Sequence, residues 1–118
     1  MNNFFQNVDS HIGASIYNEK IEIEIGIEGK KMFAAIMRKY AFQADILKLI
    51  SEALRQKNVS SNFCIGDGQM VLDIDMKGQA IRMYSSTQPS IWFGVPLAPF
   101  SNKLLTMMET ILKDVEQE

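Results

Sequence analysis

One histidine, one cysteine and fourteen acidic side chains are the raw material for chemistry in this sequence. His11 is the sole imidazole, so any Ser/His/Asp or Cys/His arrangement must be built on it. It stands beside an amphipathic stripe, where a structural or surface role outweighs a catalytic one. Cys64 alternates with Phe63 and Ile65, lacks a CxxC partner and has no basic neighbour, which reads as an unactivated thiol. Asp67, Asp73 and Asp75 come nearest to a metal site. On a strand, Asp73 and Asp75 share one face about 7 Å apart. Two carboxylates beside a glycine-rich turn can hold a hard cation, but the spacing of a calcium loop is missing. Solvated charge on a wet strand face is the favoured reading, so no metal and no cofactor are expected. Gly66-Asp67-Gly68 opens a strand rather than a helix and lacks the GK[ST] of a phosphate loop. With no nucleophile–base pair and no paired general acids, an enzyme is not expected.

Two other features point to contact with a protein. Arg82 and Tyr84 fall on the wet side of their strand, and both residue types are enriched where proteins meet. Met107 lies at the edge of an apolar helical stripe, where a monomer favours a polar residue. Scattered apolar surface and an adaptable methionine-rich core are the plain alternatives, since the chain has eight methionines.

These residues need elements to position them. Ile21–Ile27 alternates four isoleucines with Glu22, Glu24 and Gly26. Period-two alternation of β-branched residues makes a strand with one dry face. Asn2–Gly13 is expected to be a short helix carrying Phe4, Phe5, Val8 and Ile12 on one stripe, stopped by Gly13. The first strand then starts near Ser15. Glu28-Gly29-Lys30 turns the chain into a second strand, Lys31–Arg38. Phe42–Gln56 has helical periodicity, with Phe42, Ile46, Leu49, Ile50, Ala53 and Leu54 on its apolar face. Short strands follow around Phe63 and Ile65, at Met70–Met76 and at Gln79–Ser85, and then at Ile91–Val95, which Pro96 ends. Ser101 is the expected N-cap of a last helix whose stripe includes Leu104, Leu105, Met108, Ile111, Leu112 and Val115. Burial should favour Ile21, Ile23, Ile25, Ile27, Leu72, Ile74, Leu105, Met108 and Leu112.

The chain of 118 residues has the length of one domain, here 1–118. Its net charge of −2 gives no general attraction to nucleic acid or an anionic membrane. A single cysteine cannot make an internal disulfide, and a reducing, cytoplasmic setting is the simplest expectation. No apolar run approaches a membrane span, and the first residues lack the pattern of a signal peptide. The expected class is α+β: a central antiparallel sheet with N- and C-terminal helices on one face and the middle helix on the other.

This order, α-β-β-α-β-β-β-(β)-α, resembles the profilin-like superfold. Asn3–His11 looks like the aromatic-bearing N-terminal helix of profilins, and Glu28–Ala34 like their hairpin turn and second strand. Asp75–Tyr84, with Gly78 and Arg82, is similar to their central hairpin. Ile91-Trp92-Phe93-Gly94-Val95 and the terminal helix are similar to their last strand and helix. The resemblance implies a monomeric, non-enzymatic module that binds actin or an actin-like monomer and regulates its polymerisation. Carried over, its partner surface comprises Arg82 and Tyr84 on the strand and Lys103, Met107 and Thr110 on the helix. Phe4 and Phe5 are the residues that would meet proline-rich peptides, although the last helix offers no Tyr or Trp to complete such a site. The same order also fits the roadblock family of dimeric regulators of small GTPases and motors. It also fits small acidic dimeric secretion chaperones, which bind extended segments.

Overall fold

In a computed structural model, residues 10–38, 41–66 and 68–116 are described. The first three strands are β1 (Ser10–Tyr17), β2 (Lys20–Ile27) and β3 (Lys30–Arg38), which pair as an antiparallel sheet in that order. The isoleucine stretch is therefore central. Ile21, Ile23 and Ile25 lie opposite Ile16, Ala14 and Ile12 on one side and Met37, Ala35 and Phe33 on the other. The three isoleucines are fully buried, while Ile27 at the strand end is half-buried.

β1 corrects the expectation of a helix running to Gly13. Ser10–Gly13 are strand, with Gly13 in its middle, because β2 needs a hydrogen-bonded neighbour and Ile12, Ala14 and Ile16 extend its dry face. Residues 2–9 of the expected helix, with Phe4 and Phe5, lie outside the described residues. Between β1 and β2 the turn residues Asn18 and Glu19 have φ of 48° and 61°, and Glu28 and Gly29 in the next turn have 52° and 79°. Two successive left-handed residues make the tight turn whose twist matches flanking antiparallel strands. One strand of the sequence reading is thus a hairpin of two.

The helix α1 (Ala41–Gln56) leads to a second antiparallel sheet, in the order β4 (Ser61–Ile65), β5 (Met70–Asp75), β6 (Ala80–Ser85) and β7 (Trp92–Pro96). The helix α2 (Leu97–Glu116) follows, with a break at Ala98, whose φ of −98° and ψ of 129° are extended. A residue before proline avoids the helical region. The continuous helix accordingly starts at Pro99, and Ser101 is buried in its first turn rather than capping it. Ile91, expected to open the last strand, precedes β7 and is exposed, and Pro96 is the last residue of that strand.

The α+β class stands, but two sheets replace the single central one. The two helices pack against each other; α2 also lies along β1 and touches β6 and β7, and α1 touches β4. All three strands of the first sheet touch the second, and two close approaches mark the joint. Phe33 of β3 and Phe93 of β7 have ring centroids 5.5 Å apart. A Cβ at Gly66, just past β4, would lie 3.3 Å from the Ala35 Cβ of β3. One apolar cluster runs through both sheets and both helices, from Ile23 and Leu47 to Ile81, Leu104 and Met108. Leu105 and Leu112, expected in the core, pack at its margin. Among the described residues, no helix is long and apolar enough to cross a membrane.

Candidate functional site

Strand alternation divides the second sheet into two faces. Leu72 and Ile74 of β5, Ile81 and Met83 of β6, and Val95 of β7 point into the core and are fully buried. The intervening residues form the outer face. Its register places Asn62, Asp73, Arg82 and Gly94 in one row and Cys64, Val71, Tyr84 and Trp92 in the next.

Arg82 is the centre of this face. Its Nε donates to Asp73 Oδ2 at 2.9 Å, a terminal nitrogen donates to the same oxygen, and that nitrogen lies 3.3 Å from Asp75 Oδ2. The guanidinium carbon sits 5.1 Å from the centroid of the Trp92 ring, so cation–π attraction adds to the ion pairs. Gly94 makes the stacking sterically possible. A Cβ there would meet Arg82 Cγ at 3.0 Å and Trp92 Cζ3 at 3.2 Å. Asp75 Oδ1 also accepts from the Gly78 backbone N–H at 3.0 Å, tying the face to the β5–β6 turn.

The tyrosine on the same face feels both burial and charge. Burial pushes the Tyr84 phenol above its ordinary value; Asp73 adds to this, Arg82 opposes it and Cys64 contributes in the upward direction. Cys64 itself is exposed, with a free thiol. Asp73 and Asp75 share a face as the sequence implies, but the Arg82 guanidinium sits between them where a cation would have to sit. Asp67 lies outside the described residues. Among the described residues, no group of three or more His, Cys, Asp and Glu side chains could hold a metal ion.

Of the five residues expected to form one partner surface, Arg82 and Tyr84 are neighbours here. Lys103, Met107 and Thr110 are not part of this face. α2 sends Leu104 and Met108 into the core that also receives Ile81 and Met83, so the sheet stands between the two groups. Lys103 is exposed, Met107 packs at the core margin, and exposed Thr110 donates its hydroxyl to the Thr106 carbonyl at 3.0 Å. Trp92 and Gly94 were missed as members of the face. The alternation of Trp92 with Phe93 and of Gly94 with Val95 is the signal that places them outward.

The first sheet has a smaller polar cluster. His11 Nε2 is 3.6 Å from Glu24 Oε2, and the ring lies so close over Gly26 that a Cβ there would come 2.2 Å from His11 Cε1. Glu22, expected on the wet face, is 5% exposed and accepts from Lys31 Nζ at 2.8 Å. This pairing is how a carboxylate tolerates burial.

No family model, no curated protein and no solved structure matches this chain.

Proposed function

We propose that this protein is a non-enzymatic binding module that docks a folded protein partner on the outer face of its second sheet. The observation that carries this reading is the Arg82–Trp92 stack, held by Asp73 and Asp75 beside Tyr84. Trp, Tyr and Arg are the residues that most often dominate binding energy at interface centres. Here Arg82 is already locked in place, so less side-chain freedom is lost when a partner arrives. The backbone groups of β5 and β6 are paired on both sides, since both strands are interior to the sheet. What the face offers is side chains on a flat surface, which suits a folded partner better than an added strand. Two carboxylates against one guanidinium leave the cluster net negative, favouring a partner that brings a basic residue.

The resemblance to profilins makes monomeric actin the first partner to test. Co-sedimentation and polymerisation assays should compare the wild type with Trp92→Ala. Binding to monomers and slowed nucleation by the wild type, both lost in the variant, are the expected results. A wild type without effect removes actin as the partner. Equal activity of both proteins removes the sheet face as the site.

A further inference from the structure

We draw no further inference here: the strongest candidate, the apolar patch that Met32 and Ile36 expose on β3 at the edge of the first sheet, carries none because nothing in the structure shows what covers it.

Discussion

Arg82 divides its guanidinium among three neighbours, Asp73, Asp75 and the Trp92 ring. Asp73 is largely shielded from water, with 14% of its side chain exposed, so removing the guanidinium strands a carboxylate. Arg82→Gln should therefore cost about 1–3 kcal/mol in urea unfolding, and Arg82→Lys, which keeps charge but not the planar fork, should cost less. A cost near zero would mean that the cluster is solvated surface. Tyr84 gives a second readout of the same cluster. Its phenol is raised by burial first and Asp73 second, so the folded protein holds this proton more tightly than the unfolded chain does. The associated stability is fully present below about pH 10 and is lost as pH rises through the raised value. In a phenolate absorbance titration, the component absent from Tyr84→Phe should lie above the ordinary tyrosine range. Asp73→Asn should lower it, and Arg82→Gln should raise it further. A component at the ordinary position would contradict the placement of Tyr84.

At the scale of elements, the turns carry a cost that one substitution can relieve. Glu19 has a φ of 61° in the β1–β2 turn, a left-handed conformation that costs a residue with a Cβ about 1 kcal/mol. In the next turn the corresponding position is Gly29, with no Cβ to strain. Glu19→Gly should thus stabilise the protein by up to about 1 kcal/mol, read as a higher urea midpoint with unchanged slope. A destabilised variant would mean that the added freedom of the unfolded chain outweighs the relief. The helices show a different constraint. α1 packs chiefly on α2, and α2 packs on both α1 and β1, so the two do not lie on opposite faces of one sheet. That arrangement leaves the outer face of the second sheet uncovered by either helix.

Taken whole, the molecule joins its two sheets through a single core, with Phe33 against Phe93 and one cluster extending from the β2 isoleucines to Met108. Neither the three-stranded nor the four-stranded sheet has a closed core of its own. The two should consequently unfold together. Trp92, the only tryptophan, reports on the second sheet, while far-ultraviolet circular dichroism reports on all elements. Their urea transitions should coincide. Two separated transitions would show that the sheets are independent folding units.

Local pattern alone determined much of this. Isoleucines at period two specify a strand, Phe42–Gln56 specifies an amphipathic helix, and alternation around Arg82 and Tyr84 puts both on the wet side of β6. These are properties of a few consecutive residues, so no distant partner is needed to read them. Tertiary structure decided the rest. Ile12 fits a helical stripe and a strand equally well, and only the need of β2 for a neighbour settles it as strand. Ser101 is a good cap by type, but the proline two positions before it sets the helix start. Glu22 is polar by residue type and buried by its pairing with Lys31. Whether Arg82 and Lys103 share a surface depends on which side of the sheet α2 packs, and that is set by how the two sheets close over one core, through contacts between residues far apart in the chain.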